Sequence, residues 1–321
     1  MIKIIKSNKF ITMLLFIICL FFIFKPNICA KSCLDAVSVW GTKVFPMLFP
    51  FFIITRLILN LSEFKPNFMD KFFAKAYHAP AGSFAVFFLS VLCGYPMGAK
   101  LICTMHEQNR ISNDDGKKML SFCSVSGPMF IIGTVGVAVF NSYKMGLIIL
   151  ISNVAACLIN GLLYRGKLNT GKNILYTSKT KNTLADIVLD SLSSILMVGC
   201  YIIISFVAID LLKEVNAFYV ISNGISLMFN DPNLCKVIES VLSGFFEITK
   251  GVIDLSLTNV NLAIKTVLSS GIIAFGGISI LLQSVGFLNN LNIPIKTILL
   301  QKFTQCVLAV IISIIITLIF M

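Results

Sequence analysis

Two glycine-broken stretches, one in each half, decide the fold of this chain: Ser90-Val91-Leu92-Cys93-Gly94-Tyr95-Pro96-Met97-Gly98-Ala99-Lys100 and Ser240-Val241-Leu242-Ser243-Gly244-Phe245-Phe246-Glu247-Ile248-Thr249-Lys250. Ser, Val, Leu, Gly and Lys recur at equal offsets, and each copy carries a lysine just past its break. Interrupted apolar segments at corresponding places in two halves are typical of a transporter's binding site. A chance likeness is the alternative interpretation, and a second repeated pattern argues against it.

The composition predicts a polytopic helical membrane protein. Of the 321 residues, 57% are hydrophobic and only 12% are charged, and the mean hydropathy is +0.93. Soluble domains average about 25% charged residues, so this chain falls outside their range. The net charge of +12 suits cytoplasmic loops and anionic lipid headgroups. The lipid bilayer is therefore the expected partner, and nucleic acid is not.

The sequence gives little support to an enzyme. Its ten cysteines form no CxxC pair, and its two histidines are His78 and His106. No cluster has metal-ligand spacing, and neither a Ser-His-acid pattern nor a phosphate-binding glycine loop is present. We therefore expect no catalytic residues, no metal and no cofactor.

The fold class that follows is an all-α integral membrane protein with about seven transmembrane helices and two re-entrant hairpins in an inverted repeat. The seven predicted crossings are Phe10–Phe24, Ala36–Leu61, Met119–Phe140, Met145–Tyr164, Ile187–Leu212, Thr266–Leu288 and Phe303–Met321. The hairpins are predicted within Ala81–Met105 and Lys236–Leu257. Phe84–Leu92 would be roughly 13 Å long as a helix, which is about half of a bilayer core.

A second pattern concerns the crossing after each hairpin. Ser124, Ser126, Gly127 and Pro128 crowd the middle of an otherwise apolar run, which predicts an unwound helix beside a cavity. Close helix packing by small residues is the alternative. In the second half, Ser269-Ser270-Gly271 and Gly276-Gly277 match Val125-Ser126-Gly127 and Ile132-Gly133 at an offset of 144 residues.

The domain boundaries follow the basic loops. Residues 1–31 are predicted to form an N-terminal membrane helix with a cytoplasmic N-terminus, with a cleavable signal peptide as the alternative. Residues 32–164 form the first repeat, and residues 184–321 form the second, in the opposite orientation. Residues 165–183 contain basic residues and no acid, which predicts a cytoplasmic linker between the repeats.

The candidate binding site comprises residues at the two hairpin tips and the two broken helices. Backbone N–H groups exposed there suit anions, and Lys100 and Lys250 occupy symmetric positions that suit a small dicarboxylate. Alternatively, each lysine snorkels to an interface or pairs with an acid such as Glu247, which is itself a candidate for proton or cation coupling. The hydroxyl groups are equally compatible with packing. The full set is Gly94, Tyr95, Gly98, Lys100, Ser124, Ser126, Gly127, Gly244, Glu247, Thr249, Lys250, Ser270 and Gly271.

The chain resembles the sporulation integral membrane proteins of endospore formers, which belong to the larger group with a nucleoside-transporter-like gate domain. The resemblance covers roughly residues 35–320. It is carried by residues 45–52 (FPMLFPFF), 93–100 (CGYPMGAK), 121–128 (SFCSVSGP), 130–136 (FIIGTVG), 244–251 (GFFEITKG) and 274–277 (AFGG), and by Gln283. It implies a stage V sporulation exporter of dipicolinic acid, which carries this planar aromatic dicarboxylate from the mother cell toward the forespore.

The expected function is therefore secondary transport of a small organic anion, dipicolinate by resemblance, with alternating access around the hairpin tips. One alternative is a cation-coupled nucleoside carrier, and another is a non-transporting membrane protein for spore envelope assembly. The expected location is the cell membrane or the membrane surrounding the forespore, where other sporulation membrane proteins are possible partners.

Overall fold

The architecture was obtained as a computed structural model, which describes residues 22–61, 68–80, 82–166, 183–229 and 231–320, together with Phe16, Cys19 and Leu20. Every regular element in these ranges is helical. The first half comprises α1 (Pro26–Val39), a π-helical turn (Trp40–Val44), α2 (Phe45–Leu61), α3 (Phe68–Tyr77), α4 (Ser83–Cys93), α5 (Met97–Glu107), α6 (Asn113–Cys123), a π-helical segment (Met129–Val139) and α7 (Tyr143–Leu163). The second half comprises α8 (Leu184–Glu214), α9 (Ala217–Phe229), α10 (Pro232–Phe246), α11 (Ile248–Ser256), α12 (Leu262–Phe275), α13 (Gly277–Phe287), a 3₁₀ turn (Leu288–Leu291) and α14 (Ile295–Phe320).

Five helical stretches within the described ranges are long and apolar enough to cross a membrane. They are Pro26–Ile54, Tyr143–Leu163, Leu184–Glu214, Leu262–Phe287 and Ile295–Phe320. These stretches correspond to five of the seven predicted crossings. Most of the predicted crossing Phe10–Phe24 and most of the predicted linker 165–183 lie outside the described residues. Seven crossings, re-entrant hairpins and the inverted orientation therefore stay predictions.

The predicted crossing Met119–Phe140 is divided in two. Its first part completes α6, residues 124–127 are not helical, and the chain resumes as the π-helical segment. Pro128 has no backbone N–H to donate, which favours an interruption at this point. The structure thus has the predicted break among Ser124, Ser126 and Gly127.

The corresponding break of the second half is not where the offset of 144 puts it. Ser270 and Gly271 lie inside α12, and the helix is interrupted instead at Gly276, which adopts the left-handed conformation with φ +89°. An offset of 150 residues, the one that relates Gly94 to Gly244, also relates Gly127 to Gly277. The offset of 144 was therefore wrong, because it was matched on small residues rather than on the positive-φ position that interrupts the helix.

The two halves share one core. One buried cluster combines Ile131 of the π-helical segment and Met145 of α7 with Val252 of α11 and Ile272 of α12. Polar contacts add to it, since the Asn160 amide of α7 donates to main-chain carbonyls on α6 and α14. The breaks of both halves are consequently held in one packed centre.

Candidate functional site

Glycines allow backbone contact at the breaks of both halves. We call α4–α5 the first broken pair and α10–α11 the second. A Cβ added at Gly94, between α4 and α5, would lie 2.4 Å from the Gly127 nitrogen. A Cβ added at Gly277 would lie 3.3 Å from the carbonyl oxygen of Gly244. Gly94 has φ +71° and ψ −168°, a conformation that is essentially restricted to glycine.

A first cavity lies between the breaks of the two halves. It contains about 560 Å³ of empty space, counting its mouth, and both halves contribute to its lining. Six predicted site residues line it: Gly94, Tyr95, Ser126, Gly127, Glu247 and Thr249. Gln283 and Ser279 of α13 add polar groups to the same lining. Residues of both broken pairs therefore line this cavity.

A second cavity adjoins the first and is basic. It contains about 700 Å³ of empty space on the same measure, and its lining includes Arg56 of α2 and Lys100 of α5. The two cavities share a wall, which consists of Phe52, Cys93, Tyr95, Val198 and Gln283. A solute that moved between the cavities would have to pass this shared wall.

The Arg56 guanidinium is held in the second cavity by α8. It donates a 2.6 Å hydrogen bond to the Ser194 hydroxyl and lies 3.6 Å from a carboxylate oxygen of Asp190. The side chain of Arg56 is 12% exposed, whereas that of Asp190 is 61% exposed. Arg56 is thus a fixed, largely buried cation with a partner that can turn toward solvent.

The two lysines of the repeat have different environments. Lys100 lines the second cavity, and none of the described residues forms an ion pair with it. Lys250 lines neither cavity. Its ammonium lies 3.3 Å from Asp210 and 5.0 Å from the ring centre of Phe206. Lys100 and Arg56 are therefore two cations in the lining of the same cavity. Lys250 forms an ion pair with Asp210 rather than with Glu247.

Glu247 caps the second helix of its own broken pair. Its carboxylate accepts a 2.7 Å hydrogen bond from the backbone N–H of Lys250, at the first turn of α11. Carboxylates are stabilised at this position by the unpaired N–H groups and by the helix dipole. Glu247 is only 3% exposed, yet it lines the first cavity. Its local role is structural, and its position also allows it to contact a solute.

The other predicted site residues lie behind the cavities. Ser270 contacts Asn153 of α7 and Ala309 of α14, and a Cβ on Gly271 would meet Val310. Gly98 and Gly244 are positions of close helix crossing. Ser124 contributes through its carbonyl oxygen, which accepts hydrogen bonds from Tyr95, Lys302 and Gln305. The residues in this group are Gly98, Ser124, Gly244, Ser270 and Gly271.

Lys302 is a buried cation that the sequence did not reveal. It is 3% exposed, and its ammonium is 2.9 Å from the Ser124 carbonyl and 3.1 Å from the Ala274 carbonyl. The ammonium also donates to Tyr95 and lies over the tyrosine ring, 4.4 Å from its centre. Lys302 directly precedes the predicted crossing Phe303–Met321, whereas the helix of the structure begins at Ile295, so the burial of this lysine was not predicted.

A periodic pattern in α14 carries the missing information. The buried positions of this helix recur every three or four residues and are mostly polar or small: Gln301, Lys302, Gln305, Ala309, Ser313 and Thr317. A polar stripe on an apolar helix indicates a face turned toward other helices rather than toward lipid. The position of Arg56 near the end of the apolar run Ala36–Leu61 likewise predicts a side chain that snorkels to the interface, whereas the structure places it at the second cavity.

Among the described residues, no three His, Cys, Asp or Glu side chains lie close enough together to hold a metal ion. The polar groups of the two cavities are hydroxyls, amides, one carboxylate and two cations. Such a set can bind a small polar or anionic solute, with apolar side chains supplying the remaining surface.

Comparison with known proteins gives one informative similarity. No family model matches the chain, and no solved structure matches it. The chain is 29% identical, over 313 residues, to the sporulation integral membrane protein YlbJ of Bacillus subtilis (strain 168), which covers 88% of this chain and 76% of that protein. Together with the apolar helices, this similarity supports a multi-pass integral membrane protein related to those of sporulation.

Proposed function

We propose that this protein is a secondary transporter of a small organic anion, and that the anion is dipicolinate, exported during sporulation. The observation that carries the proposal is the pair of cations, Arg56 and Lys100, on the second cavity. Arg binds carboxylates through a planar two-pronged arrangement of donors, and Lys adds a mobile point charge. The two residues together suit a compact dicarboxylate.

The charges around this cavity sum to a net positive charge, which favours binding of an anion. Arg56 and Lys100 contribute two positive charges, and Asp190 contributes one negative charge at 3.6 Å from Arg56. In the proposed complex, one substrate carboxylate replaces Asp190 beside the guanidinium, and the other lies near Lys100. Because the Asp190 side chain is already largely exposed, its displacement would break only a weak ion pair.

The apolar lining suits a planar ring. Phe52, Tyr95 and Phe287 line the second cavity, and Met197 completes an adaptable surface beside them. The hydroxyls of Ser193 and Ser194 lie in the same lining. Aromatic faces and a thioether accommodate a flat heteroaromatic ring, while the polar groups fix its orientation.

Access alternates, in this proposal, by movement at the breaks. Gly94 and Gly276 interrupt helices in positive-φ conformations, and a glycine is where a helix changes direction most easily. The second broken pair is interrupted at Glu247. The first cavity is the inner compartment of the path, and the shared wall containing Tyr95 separates it from the second. The location is a membrane of the sporulating cell, as the similarity to YlbJ suggests.

A cation-coupled nucleoside carrier is the second candidate. The first cavity favours it, because Glu247, Thr249, Ser279 and Gln283 form a polar lining without a cation. Such groups suit sugar hydroxyls and base edges better than carboxylates. In this case the first cavity would govern affinity, and the cations of the second cavity would have little effect.

The test is uptake of radiolabelled dipicolinate into proteoliposomes that contain purified protein. We expect saturable uptake by the wild type and at least a tenfold lower rate with Lys100→Ala or Arg56→Ala, which is about 1.4 kcal/mol. Lys296→Ala is the matched control, since Lys296 is exposed at the start of α14 and lines neither cavity. This variant should transport like the wild type.

Three outcomes would contradict the proposal. Uptake that both cation variants retain would remove the second cavity from the mechanism. Inhibition by nucleoside, together with sensitivity to Glu247→Gln, would favour the nucleoside carrier. An absence of flux of either solute, in protein that is well folded by thermal unfolding, would favour a non-transporting role in spore envelope assembly.

A further inference from the structure

Lys302 lies between the interruption that follows α6 and the interruption that follows α12. Its ammonium contacts the Ser124 carbonyl at the C-terminal end of α6 and the Ala274 carbonyl in the last turn of α12. The Gln305 side-chain oxygen lies at 3.1 Å, and the Tyr95 hydroxyl completes the set. Two helix C-termini therefore direct the negative ends of their dipoles toward one positive charge.

These neighbours form a shell that suits a metal cation as well as an ammonium. The ammonium has three N–H donors, but four oxygen atoms lie within hydrogen-bonding distance of it. None of the four carries a formal charge, and among the described residues no carboxylate pairs with Lys302. Uncharged carbonyl and hydroxyl oxygens at interrupted helices are the usual ligands of monovalent cations in transporters.

We infer that the Lys302 ammonium is a tethered cation that occupies an alkali-ion site between the two broken helices. The charge that a free cation would bring to these carbonyls is supplied by the chain itself. The wild-type protein should therefore need no alkali ion to hold α6 and α12 together. Removal of the side chain should leave a site that a small monovalent cation can enter.

This arrangement also explains why a buried lysine without an acid partner is tolerated. Burying an isolated charge is strongly unfavourable unless other groups replace its hydration. The carbonyls of Ser124 and Ala274 are themselves released from regular helix pairing by the breaks. The cation satisfies the carbonyls, and the carbonyls solvate the cation, so the breaks and Lys302 depend on each other.

The experiment measures thermal unfolding of purified protein in detergent, in choline chloride, LiCl, NaCl and KCl at equal ionic strength. Wild type should unfold at the same temperature in all four salts. Lys302→Ala should unfold at a lower temperature in choline chloride, and an alkali ion should raise its midpoint saturably by about 2 °C or more. Methylammonium chloride should act in the same way.

Two further variants make the result specific. Lys302→Met keeps the length of the side chain but fills the ion position with a methyl group, so it should be destabilised equally in every salt. In the Lys302→Ala background, Tyr95→Phe removes one of the four oxygens and should weaken the response to the alkali ion. No substrate is present in any arm, so failure of the anion proposal would leave these results unaffected.

The inference would be overturned by any of three findings. One is a specific stabilisation of the wild type by sodium, lithium or potassium over choline, which requires no variant to fold. Another is a Lys302→Ala protein whose midpoint is the same in all salts and in methylammonium. The third is a Lys302→Met protein that responds to alkali ions as strongly as Lys302→Ala, which would show that the ions bind elsewhere.

Discussion

The first and second broken pairs have similar backbone arrangements, but their lysines lie in different environments. Lys100 of the first pair lines a cavity together with Arg56, whereas Lys250 of the second pair is neutralised by Asp210. The residues at the tips differ as well, because a tyrosine in the first pair corresponds to Phe245 in the second. A repeat thus preserves the glycine-dependent crossings while each half gives its charges a different role.

The physical reason lies in what each feature depends on. A glycine at a crossing is required by the neighbouring backbone, which the repeat copies. Whether a lysine forms an ion pair depends on the side chains around it, and these belong to helices outside its own broken pair. Asp210 belongs to α8, where the corresponding position of the first half is Asn60. One carboxylate is therefore enough to give Lys250 an ion-pair partner that Lys100 does not have among the described residues.

The largest expected difference between the halves concerns Gly94, at the first break, and its counterpart Gly244, which lies inside α10. Gly94→Ala should lower the free energy of unfolding by roughly 4 kcal/mol, because it combines a glycine-only conformation with a backbone clash. Gly244→Ala should be milder, since the nearest atom to its Cβ belongs to the flexible Ile272 side chain, at 2.7 Å, rather than to backbone. Thermal unfolding in detergent provides the measurement. Gly224→Ala is the control, because nothing lies within 4 Å of a Cβ there. Equal losses at Gly94 and Gly244 would contradict the comparison.

A second matched pair of glycines follows the breaks. A Cβ on Gly136 would lie 2.8 Å from the Cα of Gly146, whereas a Cβ on Gly286 has open space. Gly136→Ala should therefore cost roughly 2 kcal/mol by overpacking. Gly286→Ala should leave stability unchanged or raise it slightly, since alanine favours the helix. Unfolding midpoints that fall by the same amount in both variants would argue against the described packing of the π-helical segment on α7.

The two lysines themselves give a sharper contrast. Lys250→Met should destabilise the protein by roughly 1.5 kcal/mol, between the values for exposed and buried pairs, because it leaves Asp210 without its partner. Adding Asp210→Asn should recover part of the loss. Lys100→Met should leave the unfolding midpoint unchanged and should impair only anion uptake. A stability loss at Lys100 as large as that at Lys250 would show that the first lysine is also structural.

The smallest expected effect tests the partner of Arg56. Asp190→Asn removes an exposed carboxylate that competes with the substrate for the guanidinium, so dipicolinate affinity should rise about twofold, or about 0.4 kcal/mol. The apparent KM for uptake is the measurement. Cys200→Ser, at an exposed position of the same helix that lines neither cavity, should leave it unchanged. A lower affinity in Asp190→Asn would mean that the carboxylate orients Arg56 rather than competing for it.

The sequence was sufficient for features that depend on local chain chemistry. Gly94 is identified as a break because an apolar run ends there, and the interruption before Pro128 follows from the missing N–H. The predicted break at Gly244 is wrong, because Gly244 lies inside α10 and the chain is interrupted at Glu247 instead. The break at Gly276 was misplaced, since Ser270 and Gly271 have a similar composition to the first break. Composition alone does not distinguish a small residue inside a helix from a positive-φ residue that ends one.

Features that depend on distant contacts were not predictable from one sequence. The burial of Lys302 results from contacts with Tyr95, Ser124 and Ala274, which lie on three other segments of the chain. The role of Arg56 depends likewise on Ser194 and Asp190 of α8. A charged residue near the end of an apolar run has the same local pattern whether it faces lipid headgroups or a cavity.

The shared wall between the cavities also provides a native chemical probe. Cys93 lies in that wall, is 5% exposed and forms no disulfide. Burial among apolar groups keeps a thiol unreactive, so alkylation of Cys93 should be slow until the wall separates. With the exposed Cys19 and Cys200 replaced by serine, the labelling rate of Cys93 from each side of a vesicle would report which way the protein is open.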